Sequence, residues 1–486
     1  MDFSLIRITL LTLLISYLCV FAWKDWFKAA CWLVVLMVIF QHPDMPKSIA
    51  GIPGLNHWNF LFINVVFSWL INRKKQEMAW EMPKRINLLL FFYGFFVVLS
   101  VCRYLTDKSG AIELNEWFGG NVDSTLGIVN EYLINCFKWV IPALIIFDGC
   151  RDRKQYNFAI IAIALLYFLL ALQVIKAMKF GSLTMSGDGL QRKAIKIISG
   201  NVGYHRVNIS MMMSGAFWAI FCLKEFVNKK CYLFIIIPAC SCVLLAMAMT
   251  GGRMGYVTWS VLGVFFCIVK WRKYLLLAPV VLSLILIVAP SAIDRMEFGI
   301  SPDNDIAQSD VVDFEGEGID THSLTSGRIL IWPMVWTSIK EAPFFGHGRN
   351  STVNTGITLE LLRLTNGQEL FPHPHNAYLQ WVEDNGFIGA IPVFLFYMLI
   401  IKYAWSLFRD KRETVYVVTG GVCLSLVLAF LIASIGSQNF YPREGAVGMW
   451  VAIALMFRVY IERKKIINGE ESQLIKPFSE KDFVVK

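Results

Sequence analysis

The chain has 486 residues, of which 56% are hydrophobic and 17% charged. Soluble domains carry about 25% charge; here the apolar residues gather in runs of roughly 17–22, enough for the 30 Å hydrocarbon core of a bilayer. A soluble enzyme, a disordered scaffold and a β-barrel with alternating ten-residue strands are excluded, and the fold class is an all-α polytopic membrane protein. The formal net charge is +9. Its basic residues sit in short connections between apolar runs, the positive-inside pattern, which points to membrane lipid and not to nucleic acid.

Spans are expected at 5–22, 27–41, 57–72, 87–105, 129–147, 157–178, 207–227, 231–249, 254–271, 274–293, 386–407, 414–436 and 445–461. The second is short enough to be interfacial, so 12 or 13 transmembrane helices are expected. The first lacks a small-residue cleavage site and reads as a retained span. All 11 cysteines lie in or beside apolar runs, so they form no disulfide framework, and Cys240 and Cys242 read as packing.

The basic connections carry Arg73 to Arg85, Arg151 to Lys154, Lys224 to Lys230, Lys270 to Lys273, Arg409 to Arg412 and Arg463 to Lys465. They alternate with the remaining connections and are expected in the cytoplasm. Segments 106–128, 179–206, 250–253, 294–385 and 437–444 then face outward. The expected organisation is a bundle of ten spans over 1–293, a large outward loop over 294–385 bearing catalytic residues, C-terminal spans over 386–461 and a cytoplasmic tail over 462–486.

Three outward segments are unusual. Segment 179–206 is rich in cations, with Lys179, Arg192, Lys193, Lys196 and Arg206 against Asp188. Leu190, Ala194, Ile195 and Ile198 share a helical face beside those cations, the pattern of an interfacial amphipathic helix. It reads either as a headgroup anchor or as a cationic rim for an anionic lipid-linked substrate, with Lys193 a candidate contact. The turn Thr250-Gly251-Gly252-Arg253-Met254-Gly255 brings bare backbone and an arginine to the membrane surface. Arginine grips phosphate in a bidentate fork, although snorkelling explains it equally well. The loop 294–385 starts acidic, from Asp294 to Asp320, and becomes apolar and aromatic, as expected of helices lying on the bundle. Its Asp303-Asn304-Asp305 reads as solvated acidic loop, not as a metal motif.

The loop ends in His373-Pro374-His375-Asn376, followed by Glu383, Gly386 and Gly389. Imidazole titrates near neutral pH and suits proton abstraction from a hydroxyl. His-Asn, nine residues, then Gly-x-x-Gly resembles the signature of the bacterial O-antigen ligase and polymerase superfamily, carried here by His375, Asn376, Gly386 and Gly389. Two further elements stand in family order: Arg253 in its glycine turn, and an Arg-x-x-x-Trp stretch running to Pro and Gly-x-Gly, here Arg328, Trp332, Pro343, Gly346 and Gly348.

The resemblance implies a periplasm-facing glycosyltransferase of the bacterial inner membrane, with no metal, nucleotide or other cofactor. The donor is a glycan on undecaprenyl diphosphate and the acceptor a hydroxyl of the lipid A core. His375 is the expected base, and Arg253 and Arg328 the expected catalytic cations on the diphosphate. The chain has no G-x-x-x-x-G-K-[ST] nucleotide loop. Substrate-binding candidates are Asn376, Arg206, Lys138, Lys193, Glu383 and Arg443. Lys138 lies inside an apolar run and Arg206 opens a span. Glu383, eight residues after His375, is expected on its side of a helix. Arg443 sits in the last outward turn, where it also reads as a surface pair with Glu444. His347, His373 and His375 have no helical metal-ligand spacing. A polymerase or a protein O-oligosaccharyltransferase shares these motifs. A transporter is the alternative of another class, but no internal repeat supports it.

Overall fold

The computed structural model describes residues 3–49, 52–119, 124–277, 279–280, 283, 287–297, 328–367, 370–436 and 440–475. Nine helices among them are long and apolar enough to cross a membrane: Ile6–Lys24, Lys84–Thr106, Thr125–Gly149, Arg153–Met178, Arg206–Glu225, Lys229–Met249, Ala377–Phe408, Thr414–Ala433 and Glu444–Ile467. The protein is an all-α polytopic membrane protein; a pair of two-residue strands, Ser48–Ile49 against Ile52–Pro53, forms a small turn beside the helices. Helices Arg206–Glu225, Thr414–Ala433 and Glu444–Ile467 are the most enclosed and form the centre of the bundle.

Nine is fewer than the expected 12 or 13, for local reasons. The span expected at 27–41 breaks at Leu36 into Trp26–Val35 and the single turn Met37–Phe40. Helix His57–Lys75 is long enough, but its asparagines and closing Arg73-Lys74-Lys75 dilute its apolar character. Helix Arg253–Val269 has 17 residues, about 25 Å at 1.5 Å per residue, short of a full hydrocarbon core. The span expected at 274–293, and the acidic stretch with Asp303-Asn304-Asp305, lie partly or wholly outside the described residues.

Basic connections from four parts of the chain meet at one end of the bundle. Asp148 pairs with Arg73 at 2.8 Å and Arg151 at 3.1 Å, and Glu81 with Arg151 at 2.8 Å and Lys465 at 3.0 Å. Arg463 reaches Asp410 at 2.8 Å. The Arg458 guanidinium, fully buried, pairs with Glu81 and donates to the Phe147 carbonyl at 3.0 and 2.9 Å. Removing one partner of such a pair leaves an uncompensated buried charge, at a cost of about 3–5 kcal/mol when both are enclosed. The Glu81 side chain keeps 26% of its surface exposed, so Glu81→Gln is expected to cost about 2 kcal/mol, seen as a lower midpoint in thermal unfolding of the detergent-solubilised protein.

At the opposite end lie the segments read as outward. Helix Gly187–Asn201 buries Gly187, Leu190, Ala194 and Ile198, the stripe read from sequence. Ile195, expected with them, is 47% exposed; it lies a 100° step beyond Ala194 and turns away with Arg192 and Lys196. The Leu190 side chain covers the Gly251 turn.

Two glycine motifs interlock at this end. Helix Ala377–Phe408 breaks at Gly386, where φ is +68° and ψ 179°, a region essentially restricted to glycine. The freed backbone pairs with the segment after helix Arg328–Glu341. His347 N–H donates to Glu383 O and Gly348 N–H to Asp384 O, both at 2.8 Å, while Phe387 N–H donates to Pro343 O at 2.8 Å. A Cβ on Gly386 would stand 2.2 Å from Phe344 backbone, and one on Gly346 2.5 Å from Asp384 backbone. Gly386→Ala is expected to cost on the order of 3 kcal/mol or more. Gly356, also left-handed but with nothing within 4 Å of its would-be Cβ, is expected to lose only about 1 kcal/mol on substitution by alanine. Thermal unfolding of the two variants side by side measures the difference.

Candidate functional site

Three helices at the end opposite the basic connections each begin with an arginine: Arg206–Cys222, Arg253–Val269 and Arg328–Glu341. None has an acidic residue in its first turn. Helix N-termini carry about +0.5 of a charge and favour anions, so a cation there costs about 0.3–1 kcal/mol. Three such placements combine backbone dipoles and guanidinium groups in an arrangement suited to an anion.

The tertiary structure brings these ends together. Arg206 Nη1 donates to Gly251 O at 3.1 Å, next to Arg253. The Gly252 carbonyl accepts from Ser210 Oγ at 3.1 Å, and a Cβ on Gly255 would overlap that hydroxyl, so the glycines let the Arg253 helix close on the Arg206 helix. Arg328 Nη1 lies 3.4 Å from where a Gly436 Cβ would be, a position that also abuts Met254. Burial first, then the charges of Arg253 and Arg206, hold the Arg328 guanidinium below its ordinary affinity for a proton.

His375 faces this cationic group from a different element. It precedes Asn376, the N-cap of helix Ala377–Phe408, whose Oδ1 accepts from Tyr378 N at 3.0 Å and Leu379 N at 3.2 Å. Asn376, expected as a ligand, thus has a helix-capping job that explains the His-Asn pair locally. His375 itself is non-helical, with φ +50°, a left-handed conformation that costs a residue other than glycine about 1–3 kcal/mol. Its ring lies 4.2 Å, centroid to centroid, from that of His373. Burial, then the charges of Arg328 and His205, push the His375 imidazole down to about 4. His373 is held at about 3 by burial, then by His375, Arg443, Arg349 and His205. Both imidazoles are therefore neutral at physiological pH, the form that accepts a proton.

The remaining sequence candidates separate. Arg206 joins the cluster. Arg443 is exposed, and its charge reaches His373 and His205. Lys193 is half-exposed on the amphipathic helix. Lys138 packs on Trp139 and Trp58, 4.3 and 5.4 Å from their ring centroids, in a cation–π site. Glu383 is not joined to His375 by continuous helix, because the helix starts only at Ala377. It is fully buried, with Oε2 accepting from Thr352 Oγ1 at 2.7 Å. His347 is apart from the other histidines, its Nε2 2.9 Å from Ser338 O.

Sequence reading missed His205, beside Arg206, and a buried network behind the loop. Asp384 Oδ2 pairs with Arg349 Nη1 at 3.2 Å and accepts from Tyr441 OH at 2.9 Å, and its Oδ1 accepts from Ser351 Oγ at 2.6 Å. The Arg349 guanidinium stacks 3.8 Å over the Tyr441 ring. Arg349 directly follows the Gly-x-Gly element, which was the available signal.

Residues 238–394 match the family model described as O-antigen ligase. This stretch is similar to the O-antigen ligase family. It spans Arg253, Arg328, the interlocked glycines and His375, while Arg206 and Arg443 are added from outside it. The matched stretch is under half of the chain, and the likeness is to a family of ligase and polymerase type. A protein of Haemophilus influenzae described as an uncharacterized protein is 24% identical over 412 residues, 84% of this chain and 93% of its own length.

Proposed function

We propose that the protein transfers a glycan from undecaprenyl diphosphate to a hydroxyl of the lipid A core, as an O-antigen ligase, at the periplasmic face of the bacterial inner membrane. The reading is carried by one observation: three arginine-headed helix N-termini cluster, and the charge of one of them, Arg328, reaches a half-buried histidine, His375, in the family-matched region. The acceptor oxygen attacks the anomeric carbon and gives its proton to His375. The bond to the diphosphate oxygen breaks, and the leaving diphosphate keeps the electron pair. Arg253, Arg328 and Arg206 neutralise the charge that develops there, the setting in which preorganised donors contribute most. The donor's own diphosphate bond drives the reaction, and the mechanism uses no nucleotide or metal. A cationic, membrane-edge site fits a substrate with a polyprenyl tail, and the exposed Arg192 and Lys196 supply a rim for it.

The test is purified protein in lipid with undecaprenyl-diphosphate glycan, lipid A core and EDTA, without nucleotide. Glycosylated lipid A core is the expected product. Longer lipid-linked chains would make the protein a polymerase, product on Ser or Thr of an added protein acceptor would make it a protein oligosaccharyltransferase, and silence with every acceptor would overturn glycosyl transfer.

A further inference from the structure

Trp332 stands one helical turn after Arg328, so the two side chains leave the same face of helix Arg328–Glu341. Its indole Nε1–H donates to the Pro374 carbonyl at 2.9 Å. Pro374 immediately precedes His375, whose backbone occupies the left-handed region. Two other bonds hold this turn: His375 N–H points at His373 Nδ1 at 3.3 Å, and Ala377 N–H donates to Ser434 O at 2.8 Å. The first is internal to the turn, and the second ties it to the end of helix Thr414–Ala433. Among the described residues, the Trp332 bond ties the turn to the helix bearing Arg328.

We propose that Trp332 is a positioning residue, whose indole N–H fixes the spacing between the His375 imidazole and the Arg328 guanidinium. The inference rests on the reading of His375 as base and Arg328 as diphosphate ligand. The physical reason lies in the strained turn. A left-handed residue other than glycine persists only where its surroundings over-determine it. Without the bond to Pro374 O, the His375 backbone relaxes toward the extended region and carries its ring away from the acceptor oxygen. Arg328 stays at its helix start, so donor binding is retained while proton abstraction is lost. The bond also fixes which face of the turn is presented: the Pro374 carbonyl points at the Arg328 helix, and the His375 side chain projects from the next residue.

The test replaces Trp332 with its isostere benzothienylalanine, in which sulfur takes the place of the ring N–H and the shape is kept. 5-Fluorotryptophan, which keeps the N–H, is inserted by the same route as the control. Transfer kinetics are measured on full-length protein in lipid. The expected result is a kcat lower by roughly ten- to a hundredfold, the scale of an ångström-sized misplacement, with the donor KM within about twofold and the fluorinated control like wild type. Thermal unfolding is recorded for all three proteins. An active wild type with an equally active sulfur variant overturns the role of Trp332. A rise in KM at unchanged kcat, or a lower unfolding midpoint that accounts for the loss, overturns it in favour of binding or packing. An inactive wild type instead overturns the transferase reading itself.

Discussion

Arg328→Ala and Arg253→Ala are each expected to lower glycan transfer by about 10²–10³-fold, the usual loss when one preorganised charge-stabilising group is removed. Arg328→Ala is also expected to fold as well as wild type or slightly better. Each arginine heads a helix whose first turn holds no carboxylate, so its charge opposes the dipole by about 0.3–1 kcal/mol. Function and helix stability pull in opposite directions here, and that opposition distinguishes a ligand-binding arginine from a structural one. Lysine at either position restores the charge but not the fork of parallel N–H groups that matches phosphate oxygens. Arg328→Lys and Arg253→Lys are therefore expected to recover less than about a tenth of the activity. Transfer rate and thermal midpoint, measured on one preparation, decide the matter. Full activity of both alanine proteins would remove the diphosphate role, and a large drop in midpoint would make the arginines structural.

His375 is expected to titrate near 4 in the resting protein and higher once an anion occupies the site. Burial disfavours the imidazolium first, and the positive charges of Arg328 and His205 disfavour it further. The groups acting on its neighbour His373 are Arg443, Arg349, His205 and His375 itself, all cationic or neutral. The sign follows directly. A depressed midpoint keeps His375 neutral throughout pH 5–8, and any negative charge brought among the arginines cancels part of their field and raises its basicity. A diphosphate is therefore expected to raise the midpoint by roughly one pH unit or more, making the histidine a stronger base only when donor is bound. Arg328→Gln is expected to raise the resting midpoint as well. Carbon-13 histidine labelling with titration by inorganic pyrophosphate reads this, with His375→Gln assigning the resonance. A resting midpoint near the ordinary histidine value of about 6.5 that pyrophosphate leaves in place would sink the coupling. His375→Ala is expected to abolish transfer without loss of pyrophosphate binding.

The amino-acid sequence by itself determined the membrane class, the chain positions of most spans, the separation of basic from outward connections, and the chemical types at Arg253, Arg328 and His375. These are legible because hydropathy and motif spacing are local properties, readable within one helix length. Leu190, Ala194 and Ile198 were found on one face for the same reason: a single helix keeps its period.

What only the tertiary structure decided is which ends meet. Arg206 joins Arg253 through the Gly251 carbonyl, a contact between separate helices that no periodicity encodes. Helical phase does not carry from His375 to Glu383, because the helix starts at Ala377 behind the Asn376 cap, and Glu383 is instead buried with Thr352 on its carboxylate. The glycines of two motifs are required where Gly386 meets Phe344 and Gly346 meets Asp384, an interlock visible only with both segments in place. Chain chemistry can name the cations and the base. Their assembly into one site depends on packing among helices distant in sequence, and on hydrogen bonds such as Trp332 to Pro374 that exist only after those helices have met.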